Sequence, residues 1–91
     1  MRSIFRTGRR LGDALQKLER YDDAIACYDK ATEIDPKDTY FWVNKGMSFL
    51  QLKKYEEAIK SYRNAQKIYP SIQSAGIMIP KLQELIKKEA I

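Results

Sequence analysis

The chain repeats itself at a spacing of 34 residues. Gly12, Tyr21, Ala24, Ile25, Tyr28, Ala31, Ile34 and Pro36 return as Gly46, Tyr55, Ala58, Ile59, Tyr62, Ala65, Ile68 and Pro70. Eight identities in one phase mark a solenoid: a single supersecondary unit that buries its apolar face by stacking on copies of itself. Every other feature of the sequence is therefore read by its place in the repeat.

Each unit reads as a pair of helices. Gly12 and Gly46 fall inside helical patterns, where glycine is worse than alanine by about 1 kcal/mol, so their recurrence predicts a close helix approach rather than a turn. Ala24, Ala31, Ala58 and Ala65 supply small surfaces on the second helices, and Tyr28 and Tyr62 fill the space between. Asp22 and Asp23, and in the next unit Glu56 and Glu57, sit where a helix N-terminus favours negative charge. Pro36 and Pro70 close the units, because a helix does not readily continue through proline. The spacing predicts helices over 5–18, 22–34, 39–52, 56–68 and about 72–90, with no strand.

These residues resemble the tetratricopeptide repeat (TPR) family. The second copy carries Trp42, Gly46, Phe49, Tyr55, Ala58, Tyr62, Ala65 and Pro70 in the family's slots. The first carries Leu11, Gly12, Leu15, Tyr21, Ala24, Tyr28, Ala31 and Pro36, with Gly8 standing where Trp42 stands in the second. Lys45 likewise fills the slot of Leu11. The resemblance implies an all-α, right-handed solenoid of antiparallel helix pairs: repeat one over 5–38, repeat two over 39–72, and a terminal capping helix over 73–91. In that last stretch Ile72, Ala75, Ile79, Leu82 and Ile86 keep helical spacing, but Pro80 occupies the glycine slot of the repeat. A kink or break is expected near Ile79.

With 91 residues, 44% hydrophobic and 32% charged, the chain fits one small helical domain with no internal linker. Two repeats and a cap fall short of the roughly three repeats that solenoid stability asks for, so self-association or a place in a longer array is an alternative. No apolar run approaches the roughly 18–20 residues of a membrane-spanning helix. The single Cys27 precludes an intrachain disulfide, fits a reducing, cytoplasmic setting and reads as a packed residue. Met1 to Arg10 holds four arginines and no acid, the composition of an organelle-targeting segment, yet the first helix needs part of this stretch.

Catalysis has little to stand on. The chain has no histidine, which removes the usual general base and the usual nucleophile pairs. Neither a phosphate-binding glycine loop nor a metal-ligand cluster is visible, and no cofactor is expected. The reading is a binding module, an adaptor or scaffold, and not an enzyme.

In the family resembled, the first helix of each unit lines the concave side. Helical spacing places Arg6, Arg9, Arg10, Asp13, Gln16 and Lys17 there in repeat one. Repeat two contributes Tyr40, Val43, Asn44, Met47, Leu50 and Gln51, and the terminal helix Ile77, Met78 and Lys81. One wall is basic and the other apolar, which suits an extended or helical peptide with acidic and apolar groups. A subgroup of the family grips the C-terminal carboxylate of chaperones with Lys, Asn and Arg side chains. Here Asn44 matches and Arg9 substitutes for a lysine, but Asp13, Ser74 and Met78 depart, and Asp13 would repel a carboxylate.

The formal net charge of +5 is concentrated at the start: residues 1–20 hold six bases and two acids, whereas residues 21–80 hold eight of each. That patch could steer an acidic protein. Nucleic acid ranks lower, because few aromatic side chains are interleaved with the bases.

Overall fold

The computed structural model describes the backbone of residues 4–90 and the side chains of residues 9–90. Five helices follow one another: α1 (Ile4–Lys17), α2 (Tyr21–Ile34), α3 (Thr39–Gln51), α4 (Tyr55–Ile68) and α5 (Gln73–Glu89). No strand occurs among the described residues. Each helix packs chiefly on its neighbours in sequence, α1 on α2, α2 on α3, α3 on α4 and α4 on α5. The resulting body measures 51 × 29 × 17 Å, long in one direction and about two helix layers thick.

The repeated glycines sit where a neighbouring helix comes close. A Cβ built on Gly12 would lie 2.5 Å from Cε1 of Tyr28, and one on Gly46 would lie 2.8 Å from Cε2 of Tyr62. Both rings are buried, so each tyrosine fills a slot that only the missing side chain leaves open. The cores are two clusters. Ala24, Tyr28, Ala31 and Phe41 join α2 to α3, and Ala58, Tyr62, Ala75, Ile79 and Leu82 join α4 to α5.

The two helix-pair turns are also copies. Glu19 and Lys53, 34 residues apart, both adopt φ of 60°. Around them the Arg20 N–H donates to the Leu15 carbonyl at 2.8 Å and the Glu19 N–H to Gln16 at 2.9 Å. Lys54 and Lys53 repeat these bonds to Phe49 and Leu50. This is a Schellman closure with a non-glycine residue in the left-handed position, at a cost of about 1 kcal/mol each. The next connection is capped differently. Asp38 accepts the Tyr40 N–H at 3.0 Å to start α3, whereas Ile72, its repeat equivalent, gives α5 no side-chain cap.

Of the kink or break expected near Ile79, the break does not occur: α5 is one continuous helix of 17 residues with Pro80 inside it. Ala75 and Ile79 before the proline and Leu82 after it are all buried in the same cluster, so packing holds both halves against α4. Pro80 itself is exposed. The other helix bounds agree with the predicted ones to within one residue.

Candidate functional site

The first helices of the units, α1 and α3, together with α5, carry the predicted groove residues, and they divide into a polar end and an apolar end. At the polar end Asp13 of α1 accepts the Tyr28 hydroxyl at 2.9 Å through one oxygen and the Tyr40 hydroxyl through the other. Gln16 donates its amide to the Tyr28 hydroxyl and to the Asn44 carbonyl, both at 3.1 Å. Arg9 donates to Asp38 at 2.9 Å, with its guanidinium 4.4 Å from the Tyr40 ring centroid. Asn44 turns its amide back on the Tyr40 carbonyl at 2.8 Å. Three helices are thus tied by side chains that answer one another.

Burial and the Asp13 carboxylate both favour the protonated phenols here. Tyr28 is raised far above the ordinary tyrosine range, and Tyr40 is pushed up to about 12, with Arg9 opposing the shift. Unfolded tyrosines ionise near pH ~10, so above that pH the unfolded chain has lost protons that the folded chain keeps. Stability contributed by Tyr40 is full below pH ~10 and is lost as the pH rises toward 12. The denaturation midpoint should fall across that window, and Tyr40→Phe should show a smaller fall. An equal fall in both proteins would mean that Tyr40 contributes nothing and that other groups, Tyr28 among them, carry the loss.

At the apolar end a cleft of about 400 Å³ opens between α3 and α5. Val43, Met47, Leu50 and Gln51 line it from α3, and Ser74, Ile77 and Met78 from α5, over the edge of the Tyr62 ring. Met47 is 44% and Ile77 62% exposed. A second cleft of about 370 Å³ shares Leu50 and Met78 with the first and continues along α5 past Lys81, Glu84, Leu85 and Lys88. The lining is apolar with lysines at the far rim, and methionines adapt to differently shaped apolar partners.

The predicted residues therefore separate. Val43, Met47, Leu50, Gln51, Ile77 and Met78 meet at one cleft, and Lys81 lies on its continuation. Arg9, Asp13, Gln16, Tyr40 and Asn44 form the polar network, while Arg10 and Lys17 are exposed on α1. Arg6 and Gly8 lie outside the residues whose side chains are described. Leu85 and Lys88 are additions, legible in hindsight from seven-residue steps that carry Met78 to Leu85 and Lys81 to Lys88 on one side of α5. Trp42 is structural, its Nε1–H donating to the Pro36 carbonyl at 2.8 Å. Among the described residues no group of three or more His, Cys, Asp or Glu could hold a metal, and no helix is long and apolar enough to cross a membrane.

Comparison with known proteins adds the following. The family described as "Tetratricopeptide repeat" matches residues 9–71. The "Protein STIP1 homolog" of Dictyostelium discoideum is 32% identical over 59 residues, 65% of this chain and 10% of that protein. The "Peroxisomal targeting signal receptor" of Saccharomyces cerevisiae is 31% identical over 65 residues, 71% of this chain and 11% of the receptor. The chain thus spans about a tenth of the length of these curated relatives. Among solved structures, the second TPR of Spaghetti (RPAP3) bound to the HSP90 peptide SRMEEVD superposes with a TM-score of 0.86 at 25% identity, covering 92% of this chain and 78% of that one.

Proposed function

We propose that this chain, which belongs to the tetratricopeptide repeat family, is a protein-interaction module that receives a peptide or partner helix in the groove along α1, α3 and α5. The observation that carries this reading is the open apolar cleft between α3 and α5. Its exposed Met47 and Ile77 have no core role on a chain of this size, and a grouped apolar patch of this kind marks an interaction surface. A neighbour of the same fold holds a peptide, which supports the class of ligand. No catalytic step is assigned to the chain, and its work is that of an adaptor or scaffold in a reducing, cytoplasmic setting.

A second reading is self-association along α1 and the turn that follows it, where Leu11 is 50% and Leu18 67% exposed. In repeat two the slot of Leu11 is filled by Lys45, which pairs with Asp29 of α2 at 2.5 Å, so the equivalent side of α3 already has a neighbour.

One experiment separates the two. The wild type and a Met47→Glu, Ile77→Glu variant are used to capture proteins from nuclease-treated lysate, and both preparations are weighed by light scattering over a range of concentration. Both substituted side chains are exposed, so helix content should be unchanged. Capture lost in the variant supports the groove, and the same protein held equally by both overturns it. A mass that rises with concentration, with nothing else captured, supports self-association.

A further inference from the structure

We propose that the groove reads an internal segment of its partner through two bulky apolar side chains, with acidic residues toward the C-terminal end of α5, and needs no free C-terminal carboxylate. The proposal rests on the groove reading above and adds the chemistry of the ligand.

The first observation is how the polar end spends its donors. Arg9 is held by Asp38 and by the Tyr40 ring, Gln16 by Tyr28 and the Asn44 carbonyl, and Asn44 by Tyr40. Asp13, a carboxylate beside the groove, has both oxygens occupied by tyrosine hydroxyls. A terminal carboxylate placed there would meet a like charge and would have to break existing hydrogen bonds to gain donors.

The second observation is the form of the apolar end. The clefts of about 400 and 370 Å³ adjoin at Leu50 and Met78, which line both. A ligand crossing these two side chains therefore has one apolar recess on each side, the arrangement that accepts two anchor side chains from one segment. Ser74, Ile77 and Met78, the α5 residues that line the first recess, bring no cation to it.

The third is charge at the far rim. Lys81 and Lys88 border the second recess and, among the described residues, neither is ion-paired. Glu84 is the only acid beside them at that recess, and Glu89 accepts the Tyr55 hydroxyl at 3.4 Å. The balance favours acidic side chains that follow the second anchor, as side-chain carboxylates in the middle of a chain.

The test uses fluorescein-labelled peptides of about twelve residues, blocked at both ends, with two leucines two, three or four positions apart and two glutamates after them. Fluorescence anisotropy should show saturable binding for at least one spacing, and the free-acid form of that peptide should bind within about twofold of the amide. Met47→Glu with Ile77→Glu should weaken binding about tenfold or more, and the alanine pair at the same positions should weaken it less. Lys81→Glu with Lys88→Glu should reverse the preference from glutamate to lysine flanks. A free acid that binds tenfold tighter than its amide overturns the proposal, and so does failure of every blocked peptide. The capture experiment keeps the two levels apart: if the Met47, Ile77 variant loses its protein partner while blocked peptides fail, the groove stands and the ligand chemistry falls.

Discussion

A leucine in place of Gly46 should lower the unfolding free energy by about 3 kcal/mol, the upper end of what overpacking costs in a filled core. A single Cβ at this position would already lie 2.8 Å from Cε2 and 3.0 Å from Cδ2 of Tyr62. The ring is 1% exposed, walled in by Ala58, Ala75 and Leu82, so it has no free direction in which to swing. Even alanine sets two effects against each other: it gains about 1 kcal/mol of helix propensity and drives its methyl into the ring. With the ring held, the clash wins. The total stability of a chain this long is about 5–14 kcal/mol, so such a loss is a large part of it. Urea titration followed by circular dichroism measures the change. If the ring is the cause, Gly46→Leu should cost markedly less in a Tyr62→Ala background, because both changes act on one volume. Equal costs in the two backgrounds would place the strain elsewhere.

The glycine contact was legible in the sequence because it appears twice: an unfavourable residue kept at one phase of a helical pattern has to meet something. The same duplication made four helices and their bounds readable, and the apolar spacing of Ile72, Ala75, Ile79, Leu82 and Ile86 added the fifth. Where the copies differ, sequence reasoning weakened. Pro80 stands in the glycine slot, and local rules predicted a kinked or broken helix, of which the break is absent. The outcome depended on Ala75, Ile79 and Leu82 packing on α4 from both sides of the proline, a tertiary effect that no local spacing reveals. Glu19 and Lys53 were equally silent, since left-handed backbone at a charged residue carries no compositional mark.

For the candidate groove, spacing identified the apolar set correctly as neighbours, because Val43, Met47 and Leu50 share one side of a helix and Ile77 and Met78 one side of the next first-type helix. Spacing could not say which polar residues would be left open to a ligand. Arg9 and Asn44 looked like ligand donors in the sequence, yet their partners Asp38 and Tyr40 come from the start of α3, 29 and 4 residues away. Asp13 looked like a charge aimed at a ligand. It serves instead as the shared acceptor of two tyrosines, one on α2 and one on α3, which only the packed arrangement brings together.

That shared role makes Tyr28 the residue whose loss should be felt most in the first repeat. Tyr28→Ala should destabilise the chain by about 4 kcal/mol, as for other large buried aromatic side chains. The ring is fully buried between Ala24, Ala31 and Phe41 and fills the space that Gly12 leaves open. Its removal opens a cavity, takes one of two phenols from Asp13 and takes from Gln16 the hydroxyl it donates to. Tyr28→Phe separates these effects, because it keeps the ring and removes only the hydroxyl. It should cost about 1–3 kcal/mol, the penalty for leaving a partly buried acceptor short of a donor. A phenylalanine as damaging as alanine would mean that the hydrogen-bonded network, rather than the filled slot beside Gly12, holds α1 onto the rest. Asp13→Ala combined with Tyr28→Phe then closes a double-mutant cycle, and a coupling of about 1 kcal/mol or more is expected if the two groups act on each other as directly as their 2.9 Å separation implies.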